Sequence, residues 1–101
     1  MATAAASEAS ELAAWVQQLK QRIQAAEDPR KAAPIKAYMK TELPVLGVTV
    51  PVLRATVKAH VKQRGGWTSE EARQAVRMLW DCNHWTFRSA ALEVAACKLA
   101  E

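Results

Sequence analysis

Apolar residues in this chain recur at three- and four-residue steps in five short runs, and each run is bounded by a proline, a glycine or a capping residue. That pattern restricts the chain to a set of amphipathic helices. Leu12, Val16, Leu19, Ile23 and Ala26 share one face, which Trp15 widens, so a first helix is expected from about Ser10 to Glu27. Asp28 and Pro29 then restart the chain, because an aspartate at N-cap accepts an orphan amide bond and proline suits the next position. A second helix is expected from Pro29 to about Thr41, kinked or divided at Pro34. Ile35, Tyr38 and Met39 form its apolar side, and Lys31, Lys36 and Lys40 its wet side. A third helix begins at Pro51 and ends before Gly65, with Leu53, Val57 and Val61 inward. Gly65 and Gly66 stop it, one of them as a left-handed C-cap.

Thr68 and Glu71 have capping-box spacing for a fourth helix over Ser69–Asp81, with Ala72, Val76, Leu79 and Trp80 inward. Asn83 is placed to cap a fifth helix that runs to the chain end. Phe87, Ala90, Ala91, Val94, Ala95 and Leu99 form its apolar side, and Lys98 follows the same step. Leu43 to Val50 is Val-rich, but a single short apolar run has no partner strand, so it reads as a loop turning at Pro44 and Gly47. The expected fold class is all-α, about five helices in a bundle or a stack of helix pairs. No exact internal repetition is visible to prove a repeat protein.

A length of 101 residues suits one small domain. Residues 1–9 are expected to be a flexible N-terminus and residues 10–101 the folded portion. Twenty-one alanines favour helix while burying little area each. Two cysteines, Cys82 and Cys97, supply neither a disulfide framework nor a Cys-rich zinc site, and read as buried thiols in a reduced compartment. Met1 to Ala6 lacks the basic flank of a signal peptide, and no apolar run approaches a membrane span. A cytoplasmic protein without membrane contact is expected.

Candidate chemistry is sparse. Glu70 and Glu71 suit the first turn of a helix, where negative charge is favourable, and Asp81 has Arg77 one turn behind it. His60, Cys82 and His84 fit no metal motif, and Gly65-Gly66 fits no nucleotide loop, so no cofactor or metal is expected. Trp15 and Trp80 fit core stripes and Trp67 a hydrophobic staple, while an exposed Trp85 would suggest either a partner surface or a core that this chain does not complete. Charge placement is more informative. Between Arg30 and Arg64 lie eight cations (Arg30, Lys31, Lys36, Lys40, Arg54, Lys58, Lys62 and Arg64) against Glu42 alone, a local balance of +7 where the whole chain carries +4. Displayed side by side on the second and third helices, that charge would attract nucleic-acid phosphates. A solvated helix face is the competing reading. Tyr38, between Lys36 and Lys40, suits either a base or sugar contact or the edge of a core. Arg77 and Arg88 suit salt bridges or phosphate contacts.

Two blocks carry a family resemblance. One is Ala37-Tyr38-Met39-Lys40, continuing through Leu46-Gly47-Val48 to Pro51 and Arg54. The other is Leu79-Trp80-Asp81, followed by Phe87 and Ala90-Ala91-Leu92-Glu93-Val94. In order and separation they resemble the amino-terminal part of the DNA alkylation repair family, the AlkD-like DNA glycosylases, over roughly Asp28 to Leu99. The resemblance implies a right-handed α-solenoid of HEAT-like helix pairs with a concave basic face for double-stranded DNA. It also implies hydrolysis of the N-glycosidic bond of cationic N3- or N7-alkylated purines. A cationic lesion leaves readily, and a carboxylate stabilises positive charge growing on the sugar. The family's cleft aromatic matches Tyr38, and Lys36, Lys40, Arg54, Lys58 and Arg88 are the expected companions in DNA binding. Where the family has Thr-Pro, this chain has Val50-Pro51, which weakens that helix start unless Thr49 supplies the cap. The family's catalytic aspartate lies beyond the matched region and is not Asp81, so no catalytic residue is assigned. A DNA-binding portion inactive on its own is expected, with a further carboxy-terminal helical region as its partner. The alternatives are a non-catalytic protein-interaction module, with a patch around Trp85, Leu92 and Leu99, and an inactive DNA-binding relative.

Overall fold

The computed structural model describes residues 3–65 and 68–98, with side chains from Glu11 onward. Gly66, Trp67 and Leu99, to which the sequence assigns a stop, a staple and an apolar contact, lie outside the described residues. Within them the fold is all-α. The helices are α1 (Thr3–Ala25), α2 (Pro29–Met39), α3 (Val50–Gln63), α4 (Ser69–Trp80) and α5 (Trp85–Lys98). No strand forms among the described residues, and 41–49 is the expected loop. No described helix is long and apolar enough to cross a membrane. The start of α1 is earlier than Ser10, in keeping with the helix propensity of Ala4, Ala5, Ala6 and Ala9.

The core joins four helices. Leu12, Trp15, Val16, Leu19 and Ile23 of α1 meet Leu53, Val57 and Val61 of α3, Ala75 and Leu79 of α4, and Phe87, Ala90, Ala91 and Val94 of α5. A fully buried leucine or isoleucine contributes about 2 kcal/mol by leaving water. The chain is elongated, 49 × 24 × 22 Å. α5 packs on α4 and α3, and α1 packs on both α3 and α4. α2 stands apart and buries none of its residues. Its expected apolar side is therefore corrected: Tyr38 is 82% exposed, Met39 44%, and Ile35 is half-buried.

A loop, rather than helix packing, holds α2 to the body. Asp28 caps α2 through its side chain, which accepts from the Arg30 amide at 3.0 Å, while the Asp28 amide donates to the Leu46 carbonyl at 2.9 Å. On the other side of the loop, the Leu46 amide donates to Thr86 Oγ1 at 3.0 Å and the Trp85 amide to the Pro44 carbonyl at 2.9 Å. Gly47 permits this arrangement. Its φ is +78°, and a Cβ there would lie 2.0 Å from the Asp28 carbonyl oxygen.

Other terminal signals divide. Thr68 and Glu71 form the expected capping box. Thr49 occupies the N-cap of α3, but its hydroxyl makes no capping bond. Gly65 does not take up a left-handed conformation, since α3 ends on Arg64 with φ −100°. The left-handed non-glycine residues are instead Lys40, φ 53°, at the cap of α2, and Asn83, φ 51°, in the turn between α4 and α5. Asn83 does not cap α5 either. His84 does so, accepting from the Thr86 amide through Nδ1 at 3.2 Å and from the Arg88 amide through its carbonyl at 2.9 Å.

Trp80 is the clearest correction to the expected core. The buried stripe of α4 is Ala72, Ala75 and Leu79, and Trp80 lies about 100° round the helix from Leu79. Its side chain is 43% exposed, and the Arg88 guanidinium lies over its ring at 4.8 Å. Trp85 is half-buried rather than exposed.

Candidate nucleic-acid interface

The expected DNA-contacting residues fall into three groups. Lys36, Tyr38 and Lys40 occupy the last turn and cap of α2, and all three are exposed. Because α2 ends away from the core, Tyr38 presents its aromatic ring to solvent, and Lys36 and Lys40, two residues before and after it in the chain, do not share its face. The turn closes as a Schellman motif: the Thr41 amide donates to the Lys36 carbonyl at 3.3 Å and Lys40 takes the left-handed position. The second group, Arg54 and Lys58, lies one turn apart on the outer side of α3, beside buried Leu53 and Val57. Lys58 is exposed. Arg54 makes a two-pronged pair with Glu93 of α5, with Nε–Oε2 at 3.2 Å and Nη2–Oε1 at 3.5 Å, so part of its charge is neutralised. Arg88 forms the third group. Its Nε donates to the Trp80 carbonyl at 3.0 Å and its Nη2 to Asn83 Oδ1 at 2.6 Å.

These groups are not pressed together. An apolar cleft of about 380 Å³ lies between the second half of α2 and the first turn of α3. Ile35 and Met39 of α2 form one wall, Val50, Pro51 and Leu53 of α3 another, and Trp85 and Ser89 of α5 the floor. None of the six expected contact residues lines it; Arg88 borders a smaller neighbouring cleft. Of the other cations in the basic stretch, Lys31 approaches Asp28 at 3.9 Å and Arg64 pairs with Glu71. Arg30 and Lys62 are exposed.

Three carboxylates have structural employment: Asp28 caps α2, Glu71 caps α4 and Glu93 holds Arg54, whereas Asp81 closes α4 through its backbone amide alone. The Thr68 amide and the Arg64 guanidinium hold the Glu71 carboxyl below its usual range. The thiols of Cys82 and Cys97 are free and half-buried, with Cys82 Sγ donating to the Met78 carbonyl at 3.2 Å. No cluster of three metal-ligating side chains occurs among the described residues.

Sequence periodicity misses His60. It is 3% exposed and bridges α3 to α1: Nε2 donates to the Trp15 carbonyl at 2.9 Å, and Trp15 Nε1 donates to the His60 carbonyl at 3.4 Å. The rings lie 4.7 Å apart. A signal is present in the sequence, since His60 falls three residues after Val57 on the buried stripe.

A family model described as DNA alkylation repair enzyme matches residues 19–100. No curated protein matches the chain, and no solved structure does.

Proposed function

The chain belongs to the DNA alkylation repair enzyme family, and from that membership we propose that it is the amino-terminal DNA-binding portion of a glycosylase. The substrate is duplex DNA bearing cationic N3- or N7-alkylated purines, whose N-glycosidic bond the parent activity hydrolyses. The five helices are read as HEAT-like units of a right-handed stack. Lys36, Lys40, Arg54, Lys58 and Arg88 supply phosphate contacts, and Tyr38 lies along the duplex.

The observation that carries this reading is the family match over most of the chain, joined to a Tyr38 ring that faces solvent on the last turn of α2, the turn that also carries Lys36 and leads into Lys40. An exposed tyrosine in a fold that has apolar surface to offer it is available for a ligand. The phosphate contacts set affinity and its salt dependence; they do not choose the lesion. Excision itself is assigned to a carboxylate outside this chain. In support, the carboxylates of Asp28, Glu71 and Glu93 are taken up by helix caps and an ion pair.

The test is duplex affinity measured over a salt series. Log affinity should fall linearly with log salt. Neutralising Lys36 and Lys40 to Gln should lower the slope by about two, near one for each phosphate left without its lysine. Tyr38→Ala should weaken binding without altering that slope. A flat salt dependence sinks the phosphate account, and excision of N7-methylguanine by the purified chain sinks the division of labour.

A further inference from the structure

The cleft between α2 and α3 continues across the outer face of α5. A second cleft, of about 160 Å³, adjoins the first and shares Trp85 and Ser89 with it. Trp85, Ser89 and Leu92 repeat at four- and three-residue steps, so they form a single ridge of α5 facing outward. Together the clefts make a trough from Met39 and Val50, 44% and 55% exposed, to Trp80 and Leu92, 43% and 61% exposed. Its walls are overwhelmingly apolar. The Thr86 hydroxyl is withdrawn from it, since that residue is 3% exposed and already accepts from the Leu46 amide. A duplex presents phosphates and base edges, for which such a surface provides few donors.

The rim, by contrast, is cationic. Lys36 and Lys40 each follow a lining residue of α2, and Arg88 borders the smaller cleft. Among the described residues no carboxylate lies within ion-pair distance of these three. The hydrogen bonds of Arg88 go to neutral acceptors, the Trp80 carbonyl and the Asn83 amide oxygen, so its charge is undiminished. Glu93 is engaged by Arg54, and Glu42, next to Thr41 in the loop, offsets only part of the rim.

An apolar trough between uncompensated cations is complementary to one kind of surface: an apolar helical ridge flanked by carboxylates. We propose that this trough docks an acidic amphipathic helix of a partner protein. Apolar side chains at i, i+3 or i+4, and i+7 enter it, and flanking glutamates meet Lys36, Lys40 and Arg88. The two readings share the rim cations Lys36, Lys40 and Arg88, but the apolar lining of the trough has no part in the DNA reading.

The experiment titrates the full 101-residue chain into a labelled helical peptide of about 18 residues, with leucine on one face and glutamate elsewhere. Saturable binding is expected, and Met39→Gln with Leu92→Gln should weaken it about tenfold or more. Both sites are exposed, so the fold should tolerate the changes. On the unaltered chain, the indole resonances of Trp80 and Trp85 should shift on peptide addition while that of Trp15 stays put. Duplex affinity and its salt slope should be unaffected by Met39→Gln and Leu92→Gln, which keeps the two readings separately testable. The proposal is overturned if a lysine-for-glutamate peptide or a glutamine-for-leucine peptide binds as well. It is equally overturned if the two glutamine variants bind peptide unchanged, if duplex DNA shifts the Trp80 and Trp85 indoles where the peptide does not, or if a second copy of the chain excludes the peptide.

Discussion

Lys40 breaks a local rule at the position where function is proposed. It holds φ 53° at a helix C-terminus, a conformation that costs a residue with a Cβ about 1 kcal/mol relative to glycine. Asn83 holds φ 51° in the turn between α4 and α5, but asparagine tolerates that region and lysine has no such excuse. Strain of this kind persists where the side chain has another use. Replacing Lys40 with Gly should therefore move two measurements in opposite directions. The unfolding free energy from chemical denaturation should rise by about 1 kcal/mol, while duplex affinity falls and the salt slope drops by about one. Loss of stability in Lys40→Gly would show that the lysine packs against the fold rather than serving a ligand.

The helices themselves are largely legible in the sequence because their signals are local. Asp28-Pro29, the Thr68–Glu71 box and the stripes of α1 and α3 each act within one turn or one face, and each stands where its residues put it. What periodicity does not contain is the identity of the neighbour. Ile35, Tyr38 and Met39 mark an apolar side of α2, yet α2 faces a cleft because a loop, not a helix, lies beside it. Trp80 misleads for a related reason: its large side chain suggests a core, but its angle on α4 falls outside the Ala72–Ala75–Leu79 stripe. The trough likewise depends on long-range contacts, chief among them the Thr86 hydroxyl that accepts from Leu46. Thr86→Val keeps the shape and removes that acceptor, leaving the Leu46 amide without its partner at a cost of about 1–3 kcal/mol. Loop 41–49 and α2 should loosen together, giving faster amide exchange from Asp28 to Val48 with little change in α1. Equal acceleration throughout the chain would mean that α2 is not a separately tethered element.

At the scale of the whole molecule, two histidines link stability to pH. His60 is buried with Nε2–H donating to the Trp15 carbonyl, and its Nδ1 has no hydrogen-bond partner. Burial holds its pKa below the ordinary 6.5, the Trp15 bond works the other way, and Arg22 adds to the lowering. His84 is lowered as well, first by burial and then by the charge of Lys20. It must also keep Nδ1 unprotonated to accept from the Thr86 amide. In both cases the unfolded chain takes up a proton more readily than the folded one. Stability is therefore fully present above about pH 6.5, and is lost as pH falls from there through the folded-state values. Glu71, also lowered, adds its own loss only further down, below its ordinary 4.5. Denaturation midpoints should thus be lower at about pH 5 than at about pH 7.5. His84→Asn isolates one contribution, because an asparagine oxygen can cap α5 at either pH. That variant should retain α5 and show a shallower decline, the remainder belonging to His60. A decline as steep as that of the unaltered chain would assign the whole effect to the Trp15–His60 bridge between α1 and α3.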